Sequence, residues 1–486
     1  MVMSNQKEKD ENSKRRTLVG IAWNCAAELK LLLSALLFLC TLATLLQFLP
    51  SRFFISPSDI RRCLTTPTTA SLPPPSQQMS TDEMSDDGVL KRAFNPYGSA
   101  AYNFIFMSAY RGGADTFAVI GLSSKPLHIY GKPSYECQWV PRHNSTANAT
   151  VTTIGQKILP DWGYGRVYTV VVVNCTFRSP AGADGKGGKL ILHADSDIIV
   201  ALDETAEEFT DFTAQVESVP AYDYVYCGSP LYGKLSPARV REWVAYHVRL
   251  LGKKSHFVMH DAGGVHEGVR EVLRPWMEKG FVSLQDVREQ ESFDGYYHNQ
   301  FLIVNDCLHR YRFRAKWIFF FDVDEFIFVP KKSTINSLMN SLSGFTQFTI
   351  EQMPMSSTLC HEQDGPLPLA FRKWGFEKLV YRDVKRGVRR DRKYAVQPRN
   401  VFATGVHMSQ NTLGRTTYKT EGRIRYFHYH GTIANRREPC NQFLNQSQIT
   451  LDGIPYVMDT TMREVAAAVK RFELKTIGPV LQRTRQ

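Results

Sequence analysis

Five consecutive apolar residues, Trp317 to Phe321, give way to the acidic positions Asp322, Asp324 and Glu325, and a second apolar run, Phe326 to Val329, ends at Pro330. A short unbroken apolar run predicts a strand buried on both faces, as in a parallel sheet. Carboxylates cannot ionise cheaply in such an interior, so the acidic positions must emerge at the sheet edge, where ligands sit in open α/β sheets. The surrounding chain has the matching pattern. Tyr222–Cys227 reads as a strand; Ser236 then caps a helix with Pro237 at its first position and Val240, Trp243, Val244, Val248 and Leu251 as its apolar face. His256–His260 is the next strand, followed by a helix through Val272 and Trp276, a strand at Phe281–Leu284, and a helix from about Tyr297 to Arg312. Such alternation predicts a parallel α/β sheet. Phe345–Gln352 alternates like a further strand, and the tail ends in a helix with Met462, Val465, Ala466, Val469 and Phe472 on one face and a capping box from Thr461 and Glu464.

The pattern before Tyr222 differs. Short β-rich runs at Tyr102–Phe106, Phe117–Leu122, Leu127–Tyr130, Arg166–Asn174 and Lys189–His193 are separated by Gly, Pro, Asn and Asp. This pitch predicts an antiparallel β-sandwich over 93–219, with the α/β domain over 220–486. Trp139, Trp162 and Tyr164 fall in or beside its turns, where exposed rings could stack on sugars as in a carbohydrate-binding module, or else serve as core aromatics. Residues 50–92, rich in Ser, Thr, Pro and Gln, read as an extended stem. Leu31 to Leu49 holds no charge and would span about 28 Å as a helix, enough for a bilayer core. Residues 1–30 carry more Lys and Arg than the segment beyond it. The expected topology is therefore single-pass type II, with a cytosolic tail and the rest across the membrane.

Composition narrows the class. Apolar residues make up 43% and charged residues 22%, as in globular proteins. The net charge of +12 would suit nucleic acid, but no zinc-finger or RNA-binding signature is present; a nucleotide sugar or an acidic polysaccharide fits better. Of nine cysteines, six lie beyond Cys63, and Cys137–Cys175 is the expected pair within the sandwich. Asn144, Asn148, Asn174 and Asn445 begin glycosylation sequons on the side of the chain expected to be lumenal.

Asp322 and Asp324, two apart, would point to one side of an extended chain and could grip one hard divalent cation beside a phosphate. This is the DxD arrangement of nucleotide-sugar glycosyltransferases, which the segment resembles. Asp261 ends an earlier strand, where it could hold a uracil or ribose, or simply form the turn of Asp261-Ala-Gly-Gly. The runs NDCLHRYRFRAKWIFFFDVDEFIFVP, RRDRKYAVQPRNVFATGVHMS and IRYFHYHGTI together resemble glycosyltransferase family 92, and within it the plant β-1,4-galactan synthases.

The resemblance covers Tyr222 to the C-terminus. It implies a GT-A-type glycosyltransferase domain of α/β class behind the β-sandwich and the N-terminal transmembrane helix. It also implies Mn²⁺, inversion at the anomeric carbon and a Golgi location. The implied partners are UDP-galactose and a β-1,4-galactan or other pectic acceptor, with a second copy of the chain left open. His407 and His430 are the candidates to complete the metal, His407 preferred because it ends an apolar stretch. Glu377, in a Trp-Gly-Phe-Glu segment resembling those that carry the base of other galactosyltransferases, and then Asp364 are the candidate general bases. Lys393 or Arg389 would neutralise the leaving diphosphate. A competing reading is a membrane-tethered polysaccharide-binding protein with a degenerate transferase domain; the intact Asp322-Val-Asp324 favours the enzyme.

Overall fold

The β-rich runs before Tyr222 do build two antiparallel sheets, one of five strands and one of four, in a computed structural model that describes residues 79–98, 103–124, 133–142, 150–158, 167–293, 297–364, 373–388, 390–433, 440 and 442–483. The five-stranded sheet contains Phe104–Arg111, Thr116–Ser124 and Tyr168–Thr176; the four-stranded one contains Tyr135–Pro141 and Gly188–Ala194. Their facing side chains, among them Phe104, Phe117, Val171, Leu190 and Leu192, make one core. Trp139 belongs to that core at 1% exposure, stacked on Phe117 with centroids 5.2 Å apart, so it offers no face to a sugar. Cys137 and Cys175 are bonded, as expected. Trp162, Tyr164, Asn144, Asn148 and the Leu127–Tyr130 run lie outside the described residues.

The second architecture is an 11-stranded mixed sheet. Its labelled members are β1 (Leu90–Lys91), β2 (Tyr222–Cys227), β3 (Ser255–Asp261), β4 (Val282–Asp286), β5 (Ala315–Phe320), β6 (Glu325–Phe328), β7 (Gln347–Pro354), β8 (Arg392–Val396) and β9 (Arg425–His428). The order is β1-β4-β3-β2-β5-β8-β7-β9-β6, with β1 to β5 mutually parallel and β8 antiparallel to β5. Side chains of β5 alternate between two cores. Trp317 and Phe319 pack with helix α1 (Pro237–Leu251), while Ile318 and Phe320 pack with Val304, Cys307 and Leu308 of helix α3 (Gln300–Arg310). Both faces are thus covered, which is why the run carries no polar residue. Helix α2 (Glu267–Glu278) joins β3 to β4. Cys227–Cys307 ties β2 to α3, and Cys360 is bonded to Cys440.

Three boundaries differ from expectation. Residues Leu90–Lys91, assigned to the stem, hydrogen-bond to β4, because backbone groups at a sheet edge recruit any extended segment within reach. The tail helix, α4 (Thr461–Ile477), starts from Thr460, which makes no side-chain cap, and Glu464 pairs with Lys331 instead of closing a capping box. The sandwich is not a separate body on a linker. The outer face of its five-stranded sheet, including Ile105, Met107, Ile120 and Val172, shares a core with Phe301, Leu302 and Ile303 of α3. Beneath that core Asp306 of α3, fully buried, accepts from Arg92 at 2.5 and 2.9 Å, from Ser108 at 2.7 Å and from Tyr110 at 2.6 Å.

The expected placement as a type II Golgi membrane protein is corrected: among the described residues no helix is long and apolar enough to cross a membrane. Leu31–Leu49, the segment assigned that role, lies outside the described residues.

Candidate active site

The chain runs from β2 outward to β3 and β4, then returns to place β5 on the other side of β2. The carboxyl ends of β2 and β5 therefore flank a topological switch point, where open sheets leave a crevice. A cavity of about 530 Å³ lies there. Ser229 to Tyr232, following β2, and Asp322 to Glu325, following β5, line one side of it. Gln352, Asp391, Lys393, His407, His428 and His430 line another.

The two aspartates do not act as a pair on one extended strand. β5 ends at Phe320, and Asp322 to Glu325 form a turn in which Glu325 N–H donates to the Asp322 carbonyl at 3.1 Å. Alternation by two applies to strands, so the turn sends the carboxylates to different partners. Asp322 accepts from Lys393 Nζ at 2.7 Å and from Gln300 Nε2, on the first turn of α3, at 3.3 Å. Asp324 accepts from Gly431 N–H at 3.1 Å and lies 3.6 Å from His428 Nε2.

Lys393 is buried and also faces Glu325 at 3.6 Å. Burial alone would raise the Asp322 carboxyl, but the Lys393 ammonium holds it below its usual range. Burial pushes Glu325 up to about 8 against the pull of Lys393. Its carboxyl also accepts the Asp322 N–H at 2.7 Å, which fixes the turn.

Asp324, His428 and His430 bring one ligand atom each within 4.8 Å of one another. One carboxylate oxygen and two imidazole nitrogens suit a first-row divalent ion. Gln352 Nε2 meets His428 Nδ1 at 2.6 Å, and the other ring nitrogen, Nε2, lies 3.6 Å from Asp324. Asp324 raises His428 against the effect of burial. The donor set fits a metal ion and brings in His428 beside the expected Asp324 and His430. His407, the preferred candidate, lines the same cavity; its Nδ1 meets the Arg392 carbonyl at 3.1 Å, and burial together with Lys393 pushes its pKa down. His428 was visible in the Phe-His-Tyr-His-Gly stretch. Its pairing with Asp324 follows from antiparallel contact of β6 with β9, in which Glu325 faces His428.

The remaining candidates sit elsewhere. Asp261 Oδ1 accepts from Gly263 and Val265 N–H at 2.9 and 3.0 Å, closing the Asp-Ala-Gly-Gly turn, the plainer of its two readings. Glu377 is not among the cavity-lining residues; its carboxylate receives Trp374 N–H at 2.5 Å and the Lys470 ammonium of α4. It closes a short helix, Gly375–Lys378, against the tail rather than facing the cleft. Asp364 ends a single 3₁₀ turn, and its side chain, like all of Arg389, lies outside the described residues. Asp391 was not singled out from the sequence, yet its exposed carboxylate lines the cavity and accepts no hydrogen bond among the described residues.

With this geometry in place the class is defined by comparison: residues 222–465 match glycosyltransferase family 92, and the chain belongs to that family. Its relatives sharpen the placement. It is 58% identical to galactan beta-1,4-galactosyltransferase GALS3 of Arabidopsis thaliana over all of both chains. It is 56% identical to galactan beta-1,4-galactosyltransferase GALS2 of the same plant, over 99% of this chain and 100% of that one. A more distant relative is beta-1,4-galactosyltransferase galt-1 of Caenorhabditis elegans, at 26% over 43% of this chain and 48% of the other.

Proposed function

We propose that this chain is a metal-dependent, inverting galactosyltransferase of GT-A type that moves galactose from UDP-galactose to the non-reducing end of β-1,4-galactan. The observation that carries the reading is the convergence of Asp324, His428 and His430 with Lys393 in one cavity at the sheet's switch point. The family match and the galactan galactosyltransferases among its relatives support the sugar and the linkage.

Asp324, His428 and His430 would hold Mn²⁺, which supplies Lewis-acid stabilisation to a leaving diphosphate. Lys393, held against Asp322 and Glu325, presents a fixed ammonium to the same developing charge without reorganising. The Asp391 carboxylate is the base in this reading, in place of Glu377 or Asp364. It takes the proton of the acceptor hydroxyl as that oxygen bonds to the anomeric carbon and the bond to the UDP oxygen breaks. One displacement inverts the anomeric centre.

Incubating the protein with UDP-galactose, Mn²⁺ and a galacto-oligosaccharide should release UDP and lengthen the acceptor by β-1,4-linked residues. Mn²⁺ removal should stop both. An unextended acceptor with full donor binding would favour the polysaccharide-binding alternative.

A further inference from the structure

One edge of the cleft is aromatic and has no part in the chemistry above. Tyr297, His298 and Asn299 adopt φ values of 48°, 54° and 54° in succession. Left-handed backbone is costly for residues other than glycine, and a run of it persists only where the surroundings impose it. Here they do. Asn299 Nδ2 donates to the carbonyls of Gln290 and Phe293 at 3.1 and 2.9 Å, and Gln290 Nε2 donates to the His298 carbonyl at 2.8 Å. The His298 ring stacks on Tyr232, with centroids 4.1 Å apart and planes 19° from parallel. What this turn fixes is Tyr297, which lines the cavity and is 52% exposed. Its ring stands at 85° to that of Tyr232, and the two hydroxyls touch.

We propose that Tyr297 is the acceptor subsite, a ring on which the terminal galactosyl residue of the growing chain lies during transfer. The inference rests on the galactosyl-transfer reading and adds the residue that selects its acceptor. Two arguments assign the ring to the acceptor rather than to the donor's base. In the transfer reading the donor diphosphate is anchored by charge at Lys393 and at the metal that Asp324 would hold, and it can be enclosed. A polymer end must enter from solvent, so it meets the rim, where a half-exposed aromatic has the most area left to bury. The second argument is stereochemical. The axial O4 of a galactopyranose leaves the C3, C4 and C5 hydrogens as one apolar patch on the opposite ring face. Stacking through that patch points O4, the hydroxyl a β-1,4 linkage requires, away from the tyrosine and into the cleft.

The test compares Tyr297→Asn, Tyr297→Phe and Tyr297→Trp with wild type. Asparagine tolerates the left-handed backbone, so it removes the ring while keeping the turn. Three quantities are measured: KM for a β-1,4-galacto-oligosaccharide, Kd for the same oligosaccharide without donor, and Kd for UDP with Mn²⁺. Tyr297→Asn should raise the acceptor KM and Kd about three- to tenfold, with UDP affinity unchanged. The Phe and Trp variants should stay near wild type. Unchanged acceptor binding in Tyr297→Asn overturns the subsite, as does weakened UDP binding with acceptor binding intact, which would make the ring a platform for the base. Because oligosaccharide affinity is read without turnover, weakened binding in a protein that transfers no galactose would leave the subsite standing and remove the transfer reading instead.

Discussion

Two buried carboxylate–cation clusters lie against the same helix, and they differ in one respect. At one, Asp306 of α3 receives Arg92 twice, Ser108 and Tyr110, all from the sandwich or the strand leading to it, and lies 3.6 Å from Arg310 of its own helix. At the other, Gln300 of α3 touches Asp322, whose partner Lys393 also faces Glu325 beside an open cavity. The first is closed off from solvent, with the Arg92 and Asp306 side chains both buried. The second keeps donors and acceptors directed at solvent-filled space. A cluster closed within the fold specifies structure; one that opens on a cavity has room for a ligand to hold.

The comparison can be tested at its strongest point first. Asp306→Ala should destabilise the protein by about 3–5 kcal/mol, since it removes the buried partner of Arg92 and leaves only the partly exposed Asp82 to balance that charge. Chemical denaturation measures this, and a loss below about 1 kcal/mol would show that the sandwich is not held through the hub. At the cleft, Asp324→Asn should lower transfer by about a hundredfold or more while the unliganded melting temperature stays within a degree or two of wild type. Stability loss without activity loss would reverse the two roles.

The pH response sharpens the contrast. Burial would raise the Asp306 carboxyl, but Arg92 and Arg310 hold it well below the usual range. Its folded pKa is therefore depressed, and the stability it contributes is present above the unfolded value of about 4 and lost as pH falls below that. Unfolding free energy of wild type should drop between about pH 4 and pH 2 more steeply than that of Asp306→Asn; parallel curves would remove the hub's electrostatic role. The smallest effect is expected at Glu377, whose carboxylate faces Trp374 and Lys470. Glu377→Gln should change kcat by less than about threefold, whereas loss of a general base typically costs about a hundredfold or more.

Local signals were legible where the physics is local. The apolar run of β5, the Ser236 cap followed by Pro237, and the α1 face from Val240 to Leu251 all form as the pattern implies. Where a reading depended on a partner far along the chain, the pattern was silent. The spacing of Asp322 and Asp324 suggested one shared cation, but a turn separated them. Glu377 sat in a suggestive tetrapeptide, yet Lys470 of the tail helix claims its carboxylate.

By itself, then, the sequence determined most of the strands and helices, that Asp322 and Asp324 leave the sheet beyond the end of β5, and which family the chain resembles, because hydrophobic period, capping and motif order are written along the backbone; Glu325, expected to emerge with them, is instead buried at the start of β6. The tertiary structure decided that Asp324 meets His428 and His430, that Lys393 belongs to Asp322 and that the sandwich is fixed on α3. Those are pairings across distant strands, set by sheet order and register, and no residue's nearest neighbours in sequence encode them.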